Sequence, residues 1–112
     1  MDSVLILSNT NTTLGIISDL LNSQPFSRIV TAQNCAEARR DLISDQFDLI
    51  IVDSPLPDEF GDDFSLYAAE QTDAGIILIV NNDKVYDISP DIEDSGVFVL
   101  PKPVSPEFFY QA

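Results

Sequence analysis

The chain has 112 residues, enough for one domain with a buried core but too few for two. It carries 19 acidic and 5 basic residues, so its formal net charge is −14. That charge argues against a chain that grips nucleic acid or an anionic membrane by itself. Because there is no histidine and one cysteine, zinc sites, histidine-based triads and an internal disulfide are excluded.

Targeting and membrane signals are also missing from the sequence. The N-terminus lacks a basic leader followed by an apolar stretch, so we expect no signal peptide. The longest apolar run, Ile76 to Val80, is far shorter than the roughly 20 residues that span a bilayer. We therefore expect a soluble, cytoplasmic protein.

Five short apolar runs alternate with segments of helical periodicity. The predicted strands are Val4–Leu7, Arg28–Ala32, Leu49–Val52, Ile76–Val80 and Val97–Leu100. Short apolar runs rich in β-branched residues are typical of strands buried on both faces of a parallel sheet. The alternation predicts an α/β fold, a doubly wound five-stranded parallel sheet with helices on both faces. Periodicity alone leaves the strand order open.

Capping residues mark where the helices begin. Asn34, with Glu37 three residues later, has the pattern of a capping box, and the helix that follows is predicted to bury Ala38 and Leu42 and to direct Arg39 outward. Other caps are predicted at Thr10–Thr13, Asp62–Asp63, Ser89 and Ser105, with Gly96 closing a short turn.

Polar residues follow four of the strands, at Ser8–Asn9, Asp53, Asn81 and Lys102. In a doubly wound sheet these strand ends meet at one crevice, where such folds bind their ligands. A carboxylate that faces a lysine there can accept a phosphoryl group, because the lysine neutralises the added charge and a cation usually assists. From the stretch around Asp53 alone, a helix cap or a solvated loop acid is an equally good interpretation.

Three features of the sequence belong together. The apolar strand runs into Asp53, the pattern D-x-x-L-P-x-x-x-G continues through Leu56, Pro57 and Gly61, and Lys102–Pro103 follows the fifth strand. With these features the chain resembles, over nearly its whole length, a receiver domain of bacterial two-component response regulators. The resemblance implies a flavodoxin-like strand order of 2-1-3-4-5. It also implies that Asp53 is the phosphoacceptor and Lys102 the lysine that contacts the phosphoryl group.

The metal ligands of the family are only partly present. The resemblance places the backbone carbonyl of Pro55 and the side chain of Asp53 at Mg²⁺, but the two acids after the first strand are the neutral Ser8 and Asn9. Asn9 remains a weak candidate ligand and Ser8 a degenerate one. Charges about 4 Å apart near a protein surface interact by roughly 4 kcal/mol, so a pocket with three carboxylates and one lysine needs a divalent cation. This pocket has one carboxylate and one lysine, and it is near neutral without a metal. We expect weak Mg²⁺ binding and slow phosphorylation.

The two switch positions of the family also differ. The hydroxyl at the end of the fourth strand is replaced by Asn81, and the aromatic residue three before the lysine is replaced by Val99. Phe98 is one position away and is predicted to point to the opposite face of the sheet. If the domain signals, we therefore expect it to do so without a coupled hydroxyl–aromatic switch.

Two functions follow from the resemblance. The first is a receiver that takes a phosphoryl group from a sensor histidine kinase or a phosphotransfer protein and relays the signal to an output module, without being an enzyme itself. The alternative is a pseudo-receiver, an interaction or dimerisation domain that is not phosphorylated in a Mg²⁺-dependent way, with Asp53 and Lys102 as an internal ion pair. A flavin-binding flavodoxin is less favoured, because no phosphate-binding loop rich in Ser, Thr and Gly follows the first strand.

The end of the chain bears on possible partners. We interpret residues 1–112 as a single receiver domain whose last helix, from Pro106 to Ala112, has at most about two turns and is truncated. An output domain would then lie beyond the chain. Because Phe108, Phe109 and Tyr110 are consecutive, a helix must expose at least one of them, and we expect a weak homodimer. No direct contact with nucleic acid or a membrane is expected.

Overall fold

The computed structural model describes residues 3–9, 15, 19, 28–54, 56–58, 61–81 and 92–101, and only the backbone of residues 93 and 94. Five strands form one parallel sheet: β1 (Ser3–Leu7), β2 (Arg28–Ala32), β3 (Leu49–Asp53), β4 (Gly75–Val80) and β5 (Phe98–Pro101). Their order is β2-β1-β3-β4-β5, which confirms the flavodoxin-like arrangement. β1 and β4 begin one residue before their predicted starts, and β5 is shifted by one residue toward Pro101, a proline that an edge strand tolerates.

Three helices are described: α1 (Cys35–Ser44), α2 (Gly61–Gln71) and α3 (Ile92–Ser95). None of these described helices has the length and apolar character needed to cross a membrane. Asn34 Oδ1 accepts a hydrogen bond from the Glu37 backbone N–H at 2.9 Å, as the capping-box pattern predicts. Gly96 follows α3 with a φ of 85°, a conformation that favours glycine. The caps predicted at residues 10–13, 89 and 105 lie outside the described residues. The cap predicted at Asp62–Asp63 is wrong, because α2 begins at Gly61 and both acids lie in its first turn.

Apolar side chains are buried on both faces of the sheet. The larger cluster joins the strands to the helices and includes Leu5, Leu7, Ile50, Val52, Leu78, Ala38 and Phe64. The smaller cluster on the opposite face is formed by Val4, Ile6, Ile51, Ile77, Ile79 and Leu100. Successive residues of β1 and β3 alternate between the two clusters, which explains why these strands have no polar interruption. The edge strand β2 is less buried, in agreement with its more polar sequence.

One orientation differs from the prediction. The Arg39 guanidinium lies 3.9 Å from the ring centre of Tyr67 and 5.5 Å from that of Phe64, so it covers the aromatic face of α2 rather than pointing away from the protein. A long aliphatic stem lets an arginine bury its methylenes while its charged end rests on an aromatic ring. Helical periodicity does not predict this contact, because it depends on the residues of the neighbouring helix.

The pairing register determines what meets at the carboxyl ends of the strands. Leu7 of β1 pairs with Val52 of β3, and Asp53 pairs with Ile79 of β4. Ser8 follows the last residue of β1, and its backbone N–H donates to the Ala32 carbonyl at 2.9 Å. Ser8 is therefore held beside Asp53 by the backbone of the sheet.

Candidate functional site

The carboxylate of Asp53 is buried at the end of the central strand, with a relative exposure of 4%. Because a buried charge costs free energy unless it is hydrogen-bonded, such a carboxylate needs donors close by. The hydroxyl of Ser8, which is fully buried, donates to Asp53 Oδ2 at 2.7 Å. That length is typical of a charge-assisted hydrogen bond. Asp53 is therefore not a solvated loop acid.

The hydrogen bond gives Ser8 a role that the sequence does not predict. From the sequence, Ser8 is a degenerate metal ligand; in the structure, it is a hydrogen-bond donor to the candidate phosphoacceptor. The sequence does contain a signal that the two residues are close. Each comes directly after a buried apolar run, and β1 and β3 are neighbours in the implied strand order.

The other candidate positions lie at or near the same edge. Asn9 and Asn81, which follow β1 and β4, are exposed. Val99 is half-buried against the larger cluster, whereas Phe98 pairs with Ile77 of the smaller cluster and is 57% exposed. Phe98 thus lies on the opposite face from Val99, as predicted. The predictions for Pro55 and Lys102, and for a contact between Lys102 and Asp53, fall on residues outside the described part of the chain.

A Mg²⁺ ion prefers carboxylate ligands in octahedral geometry. Within the described ranges, no group of three or more His, Cys, Asp or Glu side chains is placed to hold a metal ion. At the Asp53 edge the described residues supply one carboxylate, whose Oδ2 already accepts the Ser8 hydrogen bond, and the neutral Asn9. These residues do not fit a Mg²⁺ site. Weak Mg²⁺ binding stays a prediction.

The loop after Asp53 is attached to α1 by Asp58. Its carboxylate accepts hydrogen bonds from the backbone N–H groups of Cys35, at 2.9 Å, and Ala36, at 3.1 Å. These donors lower the pKa of Asp58 below its usual value, the Cys35 backbone bond being the largest cause. A negative charge is also favoured at the positive end of the helix dipole. The sequence does not reveal this contact, because Asp58 lies on a different segment from the helix that it caps.

Close packing explains why the last residue of the D-x-x-L-P-x-x-x-G pattern is a glycine in this chain. A Cβ at Gly61 would lie 2.8 Å from the Cβ of Ser54 and 3.2 Å from Cδ1 of Leu78. The first turn of α2 therefore approaches the residue after Asp53 more closely than any side chain allows. The buried hydroxyl of Ser65 donates to the Gly61 carbonyl at 2.8 Å and helps to hold this turn in place.

Comparison with known proteins identifies solved structures with a similar fold. No family model and no curated protein matches the sequence. Solved structures do match, among them a two-component response regulator from Clostridium difficile, with a TM-score of 0.83 and 24% identity over 99% of this chain and 91% of that one.

Two further matches show the range of settings in which this fold occurs. The signal receiver domain of an HD domain-containing protein from Pseudomonas fluorescens has a TM-score of 0.87 and 20% identity, over 98% of this chain and 89% of that one. The co-crystal of the Saccharomyces cerevisiae histidine phosphotransfer protein Ypd1 with the receiver domain of Ssk1 is also similar. It gives a TM-score of 0.81 and 18% identity, over 98% of this chain and 84% of that one. The chain has the fold of a response-regulator receiver domain.

Proposed function

We propose that this chain is a receiver domain that accepts a phosphoryl group on Asp53 and relays the signal to an output module. The observation that carries the proposal is the position of Asp53, a buried carboxylate at the carboxyl end of the central strand of a receiver fold. Open α/β sheets bind their ligands at this edge. Asp48, at the other end of the same strand, is exposed and does not share this environment.

The chemistry is a phosphoryl transfer from a phosphohistidine. A carboxylate oxygen of Asp53 attacks phosphorus and a P–O bond forms, while the P–N bond breaks and its electron pair returns to the imidazole nitrogen. The product is an acyl phosphate on Asp53. Lys102 is proposed to contact the phosphoryl group, as the resemblance to receiver domains implies, and Asn81 offers an amide donor at the end of β4.

The proposed partners follow from the printed names of similar proteins. The Ssk1 receiver was solved with a histidine phosphotransfer protein, which supports a phosphotransfer protein or a sensor histidine kinase as the donor. The Pseudomonas receiver is part of an HD domain-containing protein, which supports relay to an output domain. We propose that the exchange takes place in the cytoplasm.

Incubation with acetyl phosphate and with a phosphorylated histidine phosphotransfer protein tests the proposal. We expect intact-mass spectrometry to show one added phosphoryl group that hydroxylamine removes, and we expect Asp53→Asn to abolish it. The matched control, Asp48→Asn, changes the exposed acid at the other end of β3 and should leave labelling unchanged. Absence of labelling with both donors would contradict the proposal and favour a pseudo-receiver. Full labelling of Asp53→Asn would contradict it by placing the phosphoryl group on another residue.

A further inference from the structure

The contact between Ser8 and Asp53 is more than a polar pair at a sheet edge. The serine is fully buried, the carboxylate is 4% exposed, and the two oxygens are 2.7 Å apart. The described residues around them do not suit a divalent cation. The hydroxyl therefore presents the positive end of its O–H dipole to the carboxylate.

The position of Ser8 is fixed by the sheet rather than by its side chain alone. Its backbone N–H donates to Ala32 of β2, and the preceding residue, Leu7, pairs with Val52 of β3. Ser8 is thus held between two strands. A donor held in this way loses little freedom when it binds the carboxylate, and so it can define the orientation of the carboxylate plane.

We propose that Ser8 is a positioning residue that replaces the divalent cation at Asp53, so that phosphoryl transfer to this carboxylate is independent of Mg²⁺. The inference rests on the proposed function. The hydroxyl holds Oδ2. We assign Oδ1, which is also buried in this structure, as the oxygen that attacks phosphorus when the phosphoryl donor docks at this edge. In the acyl phosphate, Oδ1 carries the phosphoryl group and Oδ2 becomes the carbonyl oxygen, which still accepts the Ser8 hydrogen bond.

Two opposing effects decide how Ser8 changes the rate. Its bond is stronger to the carboxylate than to the neutral carbonyl of the product, by about twofold for charge-assisted bonds, and this difference slows the transfer. Loss of orientation slows it more, because a misplacement of about 1 Å at a reacting group can cost on the order of a hundredfold. The positioning effect therefore prevails, and removal of the hydroxyl should reduce the rate.

Rates of labelling by acetyl phosphate test the inference, measured with Mg²⁺ and with a chelator in its place. We expect equal rates for the unaltered protein in both conditions. Ser8→Ala should be slower by about ten- to a hundredfold, and Ser8→Thr, which restores a hydroxyl, should recover most of the rate. Ser8→Asp creates a second carboxylate beside Asp53 and should make labelling depend on Mg²⁺. Ser3→Ala, at the opposite end of β1, is the matched control and should leave the rate unchanged.

A spectroscopic measurement separates orientation from general damage to the fold. The carbon-13 chemical shift of the Asp53 carboxyl group should change in Ser8→Ala, return toward its original value in Ser8→Thr, and stay constant when Mg²⁺ is added. A purely structural role for Ser8 would not give recovery of both the shift and the rate by the same hydroxyl.

The possible failures are distinguishable. Labelling of the unaltered protein that requires Mg²⁺ would overturn the inference while leaving the proposed function intact, and this measurement needs no variant to fold. Labelling of Ser8→Ala at the unaltered rate would overturn the positioning role. If neither donor labels Asp53 in any condition, the proposed function fails and this inference fails with it.

Discussion

β1 and β3 carry the same two residue types at both ends. At their amino ends Ser3 meets Asp48, and at their carboxyl ends Ser8 meets Asp53. The Asp48 carboxylate is exposed and accepts from the Ser3 backbone N–H at 3.0 Å, whereas the Asp53 carboxylate is buried and accepts from the Ser8 hydroxyl at 2.7 Å. Two serine–aspartate pairs in one pairing register thus have different environments.

The difference shows that burial, rather than residue type, separates a candidate site from a structural contact. An exposed hydrogen bond exchanges with water and contributes little, whereas a buried carboxylate depends on the donors that the fold provides. Substitutions made in parallel at the two ends of the strands can therefore test whether the carboxyl end is the more demanding environment.

The largest expected difference concerns the two glycines near these ends. Gly61→Ala would bring a Cβ within 2.8 Å of the Ser54 Cβ, and we expect it to lower the free energy of unfolding by about 3 kcal/mol, the upper end for overpacking. At Gly75 a Cβ would lie 3.8 Å from the Asp48 carbonyl oxygen, an ordinary contact, so Gly75→Ala should change stability much less. Urea unfolding measures both, and equal losses would contradict the steric argument.

The two serines give the next effect in size. Ser8→Ala removes the hydroxyl donor from the buried Asp53 carboxylate, and we expect a loss of about 2 kcal/mol, typical of a hydrogen bond to a charged group. Ser3→Ala keeps the backbone donor to Asp48 and removes only an exposed bond to the Gln46 carbonyl, so its effect should be small. Chemical unfolding of the two variants under identical conditions makes the comparison. A larger loss for Ser3→Ala would refute it.

A smaller effect depends on pH and tests the attachment of the loop to α1. Because the folded protein lowers the pKa of Asp58, this group stabilises the fold above its unfolded pKa of about 3.9, and the stabilisation is lost as the pH falls through the folded pKa. We expect Asp58→Asn to cost up to about 1 kcal/mol at pH 7, since the group is exposed and partly screened.

The difference between the unaltered protein and Asp58→Asn should narrow on acidification below about pH 4. Asn34→Ala is the control for this measurement, because it removes a cap from the same helix without removing an ionisable group. Thermal unfolding from pH 3 to 7 gives the profile. A difference that does not vary with pH would show that the charge of Asp58 is unimportant.

The smallest effect is expected at the amino ends of the strands, where Arg28 and Asp45 form an ion pair at 3.0 Å with side-chain exposures of 52% and 35%. The hydrogen bond and charge of Asp45 raise the pKa of Arg28. Exposed pairs are screened by salt and their entropy cost offsets most of the attraction. We expect Arg28→Gln to leave the midpoint of thermal unfolding unchanged in low and high salt. A clear shift in low salt would show that this end also depends on its polar contacts.

The strands and the cap of α1 were predictable because both are local properties of the sequence. Apolar runs located β2 and the end of β3 at Asp53, and Asn34 with Glu37 located the start of α1. The contacts that shape the candidate site were not predictable in this way. Ser8 and Asp53 are 45 residues apart, and Cys35 and Asp58 are 23 residues apart, so both contacts exist only after strand order and register are set. The prediction that Arg39 points outward is wrong for the same reason, since the orientation of its side chain depends on rings of a different helix.

The bond between Asp58 and the first residue of α1 has a practical consequence. That residue is Cys35, the single cysteine of the chain, and its side chain is fully buried. Thiol reagents need access to the sulfur, so they can modify Cys35 only when the structure around the start of α1 opens. The rate of thiol modification therefore reports how often this part of the fold opens. The native cysteine is thus a labelling site that detects opening around the start of α1.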